Sequence, residues 1–288
     1  MASIGFWRAE GEIRMNRVPL ARHTQIINCL VEGNSIRSTE RMTGTHRDTI
    51  MRLLVEVGAG CAQLMDEQMR ELPCRRLQVD EIWAFVQKKQ RQVAPGDDRA
   101  RVGNQWTFVA IDADTKLVPV HRVGKRDLPT AVAFMNDLAG RLANRVQLSS
   151  DALAAYVEAT EQAFGADIDY GQAVKFYDAE PAGPGRYSPP KVTYSERNVI
   201  AGQPDTAHIS TSYVERQNLT MRMSMCRFTR LTNGFSKKVE NHKAAVALHF
   251  AHYNFVRVHR SLRVTPAMEA RVTDRLWSLD ELVERTSA

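Results

Sequence analysis

The chain of 288 residues contains no run of about 18 apolar residues, the length a helix needs to cross a bilayer, so no membrane insertion is expected. Its opening stretch lacks an apolar segment long enough for the core of a signal peptide. Residues 1–20 therefore read as a leader on a cytoplasmic protein, with the natural start at Met1 or at Met15. Cysteine is sparse: Cys29, Cys61, Cys74 and Cys226 are widely scattered and never form the CxxC pair of a zinc ribbon or a redox site. There is no internal repeat and no low-complexity tail. What remains, 43% hydrophobic and 25% charged residues, is the composition of an ordinary globular protein with enough chain for a sizeable core.

Charge is uneven along the chain. The net charge is +6, yet residues 215–263 hold ten Lys or Arg against only Glu215 and Glu240, a local net of +8 that leaves −2 for the remainder. A concentrated basic region suits a polyanion such as a phosphate backbone. A solvated, Arg-rich helix face gives the same composition.

From Ala21 to Gly58 the pattern is helical with two interruptions. Ile26, Ile27, Leu30 and Val31 line one side of a first helix, Gly33 and Asn34 break it, and residues 35–42 form a short second helix. After Gly44, Thr45 is the expected N-cap of a third helix carrying Ile50, Leu53, Leu54 and Val57. Helix, short helix, Gly-containing turn and longer helix is the helix-turn-helix order, which puts His46, Arg47, Asp48, Thr49 and Arg52 where side chains reach base edges. A plain three-helix bundle that binds protein has the same pattern. Residues 59–76 read as a connecting helix or linker.

Beyond it the periodicity changes. Residues 77–86, 105–111 and 116–123 are short β-rich runs, the last two joined by a turn at 112–115, and together they predict an antiparallel meander. A helix over 128–142, a strand over 145–148 and a helix beginning near Asp151 follow. Segment 178–210, which contains Pro181, Pro184, Pro189, Pro190, Gly183 and Gly185, is expected to be irregular, and the chain is then largely helical from Ser212 to Val258. Residues 266–288 predict a short, acidic, amphipathic helix packed on the chain or on a neighbour. The fold class is α/β: a mixed sheet flanked by helices, preceded by an all-α unit.

Three carboxylates stand out. Asp80 lies in the middle of the first strand, where burial is costly unless a cation or partner offsets it. Periodicity does not separate it from Glu81, because apolar residues flank both faces, and both acids can be purely structural. Asp151 follows a strand directly, where α/β sheets place ligand-binding groups, but Ser149, Ser150 and Asp151 are also N-cap types. Glu215 fits the capping-box spacing of 212–215, while Arg222, two turns on, lies on roughly the same face and suits a DNA phosphate.

The segments Val79–Trp83 (VDEIW), 110–116 (AIDADTK), 149–151 (SSD), 215–222 (ERQNLTMR), 234–240 (GFSKKVE) and 253–262 (YNFVRVHRSL), followed by TPA at 265–267, together resemble DDE transposases of bacterial insertion sequences. The first-numbered insertion-sequence group is the nearest in pattern. The resemblance covers roughly residues 77–267 and implies an RNase H-like catalytic domain over 77–265, related to retroviral-type integrases, with 178–210 as an insertion. It implies Asp80, Asp151 and Glu215 as catalytic metal ligands for Mg²⁺ or Mn²⁺, two ions, with Arg222 as a basic residue following the glutamate. Double-stranded DNA, both element ends and target, becomes the expected partner, engaged by a homo-oligomer. His46, Arg47, Thr49 and Arg52 in the N-terminal unit, and Arg216, Arg222, Arg227, Lys237, Lys238, Arg257 and Arg260 in the basic region, are the expected DNA contacts. The N-terminal unit lacks the CxxC knuckle that some relatives carry.

The chemistry so implied is phosphoryl transfer without a covalent protein intermediate, so Tyr156, Tyr213 and Tyr253 are expected to pack or to contact DNA. His249 and His252, three apart, read as core or phosphate contacts rather than a zinc pair. A DNA-binding regulator or an inactive transposase-derived chain shares the helix-turn-helix and the basic region, and a stand-alone RNase H-like nuclease shares the metals. The retained acids favour the enzyme over the regulator.

Overall fold

The computed structural model describes residues 18–177, 192–229 and 232–287. Helices α1 (Leu20–Val31), α2 (Ile36–Thr43) and α3 (Arg47–Gln68) open it. Ser35 caps α2 by accepting from Ser38 N–H at 3.1 Å, and Gly44, at φ 66°, ends it in the left-handed conformation that glycine adopts without a Cβ penalty. The cap of α3 is His46 rather than Thr45. Its Nδ1 accepts from Asp48 N–H at 3.3 Å, and the next orphan donor, Arg47 N–H, is satisfied across the turn by Glu40 at 2.9 Å.

The third helix does not stop at Gly58. It runs ten residues further, through the first part of the segment read as a connecting helix or linker. Gly58 is an interior position where α3 crosses α7 (Val239–Ala251), and a Cβ there would lie 2.5 Å from the carbonyl oxygen of Ala244. The last helix, α9 (Leu279–Thr286), packs on α1 and α3, so the predicted acidic tail helix covers the N-terminal helices. One continuous hydrophobic cluster runs from Ile26 through the sheet to Val283.

The sheet has six strands in the order β3-β2-β1-β4-β5-β6. Strands β1 (Arg76–Val86), β2 (Gly103–Asp112) and β3 (His121–Gly124) form the antiparallel meander. β3 starts five residues later than predicted. Val118 instead pairs its N–H and carbonyl with the side-chain amide of buried Asn254, at 3.0 and 2.9 Å, while Leu117 and Val120 on either side still accept from β2. After α4 (Leu128–Ala139), β4 (Gln147–Ser150) runs parallel to both β1 and β5 (Asp169–Tyr177), with α5 (Ala154–Phe164) as the crossover. α5 begins three residues beyond Asp151. Strand β5 has no counterpart in the sequence reading.

Residues 178–191 of the expected irregular segment lie outside the described residues. The remainder is not irregular throughout: β6 (Val192–Ala201) pairs antiparallel with β5, which satisfies one side of its backbone although nearly every side chain is exposed. Helices α4 and α5 cover one face of the sheet, with Phe134 and Tyr156 on Phe108. The helix α6 (Ser212–Ser224) covers β1 and β2 elsewhere, and α7 continues into a π-helical turn at His252–Val256 before the short α8 (Pro266–Glu269). The chain is thus mixed α/β. Among the described residues no helix is long and apolar enough to cross a membrane.

Candidate active site

β1 is longer than β4. The two pair only from Arg76 to Gln78, so beyond Gln78 that edge of β1 carries no strand, and Asp151 sits just past the end of β4. Asp80 and Glu81 stand at this gap. Each offers a carboxylate oxygen that, with one from Asp151, forms a group whose members all lie within 4.8 Å of one another. Asp151 is fixed by its own turn, accepting from Leu153 N–H at 3.0 Å. From the other side Gln78 holds α6 in place: its Oε1 accepts from Tyr213 N–H at 2.8 Å and Val214 N–H at 3.2 Å, two of the orphan donors of the helix start. That docking brings Asn218 over β1, where its Nδ2 donates to Asp80 Oδ2 at 2.8 Å.

Three carboxylates this close repel one another. Burial, and then the charges of Glu81, Asp151 and Glu215, push the Asp80 carboxyl up to about 7. Glu81 is also raised, first by burial and then by Asp151, with Arg126 opposing. Its two oxygens are committed: Oε1 accepts from Arg126 Nε at 2.6 Å and Oε2 from Tyr156 O–H at 3.0 Å. Arg126, lying over the Trp106 ring, also approaches Asp151 at 3.9 Å. Glu81 therefore serves chiefly to place one guanidinium beside the other acids.

Glu215 lies outside the 4.8 Å group, though close enough for its charge to be felt at Asp80. Its Oε1 accepts from Thr211 O–H at 2.6 Å and from the Lys175 ammonium, which reaches over from β5. Arg222 is half-buried two turns along α6. The structure thus brings Asp80 and Asp151 together, adds Glu81, and sets Glu215 beside them on a lysine. Asn218 had a legible signal, since it follows Glu215 by three residues and so shares its helical face. Arg126, Tyr156 and Lys175 had none, because only the tertiary fold brings them to this edge.

The basic residues divide. In the N-terminal helices His46, Arg47 and Arg52 are exposed and Thr49 is half-buried. Arg216, Lys237, Lys238, Arg257 and Arg260 are exposed. Arg227 is different: its Nη1 donates to Ser236 Oγ at 2.8 Å and to the carbonyl of Asn241 at 3.0 Å, and burial lowers its guanidinium to about 10. It ties the 226–228 turn to α7. His249 is buried and neutral, lowered to about 3 by burial, and among the described residues it gathers no metal cluster with His252.

No protein-family model matches the chain, and no curated protein matches it. Among solved structures it is similar to the Mos1 transposase paired-end complex with left transposon end, at 14% identity and a TM-score of 0.20 over 54% of this chain. It spans 59% of that relative, less than two thirds of its length. It is also similar to the Mos1 Strand Transfer Complex, at 12% identity and a TM-score of 0.21, covering 84% of this chain and 79% of that one. Superpositions at TM-scores this low establish no shared fold, and the chemistry rests on the side chains themselves.

Proposed function

We propose that the chain is a DDE-type transposase, an enzyme that binds DNA and cuts and rejoins phosphodiester bonds with divalent metal. The observation that carries this reading is the meeting of Asp80, Glu81 and Asp151 within 4.8 Å at the open edge of β1. The residues fit a cation. Burial, and then its neighbours' charge, drive the Asp80 carboxyl up, and Asn218 Oδ1, buried beside it, has no hydrogen-bond partner among the described residues. A hard divalent cation accepts carboxylate and amide oxygens alike. Asp80 and Asp151 are the ligands best placed, with Glu215 as the third once it leaves Lys175. Glu81, engaged at both oxygens, stays with Arg126. The sheet order, with β4 and β5 parallel to β1 beyond an antiparallel meander, supports the RNase H-like expectation, and α1 to α3 keep the helix-turn-helix order with His46, Arg47 and Arg52 outward.

Divalent ions held at these carboxylates would supply Lewis acidity toward the phosphate and the attacking water. The protein's share is positional. Asp80 and Asp151 would hold the ions at the β1 edge, and Arg126, kept there by Glu81, would set a positive charge beside the reacting phosphate. Water attacks phosphorus in line as the bond to the 3′-oxygen breaks, leaving a 3′-hydroxyl and a 5′-phosphate. The freed hydroxyl then attacks a phosphorus of target DNA, displacing a second 3′-oxygen. The Lys175 ammonium on Glu215 favours a second reading, a chain that binds DNA without cutting it.

Strand cleavage and joining of DNA carrying the element's ends separates the two. With Mg²⁺ or Mn²⁺ the wild type is expected to nick and join, and Asp80→Asn, Asp151→Asn and Glu215→Gln are each expected to lose at least about 100-fold while still binding. Binding with no cutting by the wild type under either metal would leave the second reading.

A further inference from the structure

On the side of α6 away from the acids lies a groove of about 650 Å³. Tyr213, Arg216 and Thr220 line it from one face of α6, whereas Glu215 and Asn218 belong to the opposite face. Its other wall is the loop after the π-helical turn, with Arg257, Arg260 and Arg263, and Lys116 closes one end. Among the described residues lining it there is no Asp or Glu. Five cations facing one cavity repel one another, and the same field disfavours protonation of His259, which is lowered by burial and then by Lys116 and Arg257.

The backbone carrying two of these cations is held in place. Lys116 and Arg263 both occupy the left-handed region, at φ 62° and 67°, where a side chain other than glycine is strained by about 1 kcal/mol or more. Lys116 is kept there by Tyr253, whose hydroxyl donates to its carbonyl at 3.0 Å, and its ammonium rests 3.5 Å from the centroid of the Tyr213 ring. The Arg257-to-Arg263 loop is closed on itself by His259 N–H to Val264 O and Arg263 N–H to His259 O, both 2.9 Å. Two of the five cations lining the groove thus sit on backbone held in a strained conformation by surrounding bonds, which is consistent with a ligand site.

We infer that this groove binds the backbone of single-stranded nucleic acid, on the far side of α6 from the cutting site. The cavity is the size of a small-ligand pocket, with room for a nucleotide unit of one strand and not for a double helix. Positive charge beside a half-exposed Tyr213 is the arrangement that tracks an unpaired strand. The inference rests on the reading of the chain as a nucleic-acid enzyme, but binding in the absence of metal tests it separately from cleavage.

Fluorescence anisotropy of a labelled oligo-dT strand, with EDTA present, would compare wild type, Arg257→Ala/Arg260→Ala, and Lys89→Ala/Arg91→Ala as a charge-matched control outside the groove. All four side chains are exposed, so folding is expected to be intact, as thermal melting would verify. The groove variant is expected to bind about tenfold or more weakly, with the log–log salt slope reduced by about 0.7 for each lost contact. The control should match the wild type, and a duplex of equal length should lose less than the strand does. Equal binding by the groove variant, equal loss in the control, or equal loss for duplex would each overturn the assignment.

Discussion

Asp80 is the residue whose environment asks most of it. A carboxyl raised to about 7 holds its proton in the folded protein while the unfolded chain releases it near the ordinary value of 3.8. The metal-free fold therefore keeps this contribution below about pH 4 and loses it as pH rises to about 7. Buried His121, His242 and His249, each lowered to about 3, act in the opposite sense, costing stability as pH falls below 6.5. A difference measurement isolates the aspartate. In EDTA, Asp80→Asn is expected to melt with the wild type at pH 4 and above it at pH 7.5, by about 1–3 kcal/mol. A gap that is constant across this range would contradict the electrostatic account. At this scale the sequence was half legible. It marked Asp80 and Asp151 but could not separate Asp80 from Glu81, because helices cover both faces of β1 and erase the two-residue alternation.

Among the elements, α3 shows how a glycine can be misread. Gly58 looks like a helix end in sequence, yet it is where α3 and α7 approach too closely for a Cβ. Gly→Ala inside a helix ordinarily stabilises by about 0.5–1 kcal/mol. Here Gly58→Ala is expected to destabilise by about 1–3 kcal/mol, because the new methyl meets Ala244 backbone that cannot yield without moving a helix. Chemical denaturation would read the sign directly, and a stabilised variant would refute the close crossing. The meander, α4 and α6 were legible because their signals are local: turn residues at 112–115, the helical run from Leu128 and the run after Ser212. β5 and β6 were not. β5 pairs with β4 some twenty residues upstream, and β6 is an exposed edge whose side chains carry no burial pattern.

Across the whole molecule, the charge asymmetry resolves into two places separated by α6: an acidic edge on β1 and a basic groove against the 257–263 loop. Composition announced the positive region but not its division, nor that Arg227 donates to Ser236 and to the carbonyl of Asn241. The account as a whole stands on a cation at the acidic edge, held by Asp80, Asp151 and a Glu215 drawn off Lys175. A crystal structure with Mn²⁺, read by its anomalous scattering, tests that most directly. The account predicts density between the Asp80 and Asp151 carboxylates with Glu215 turned toward it and Glu81 still on Arg126; an empty edge at saturating Mn²⁺, or Glu81 ligating while Glu215 stays on Lys175, would contradict it.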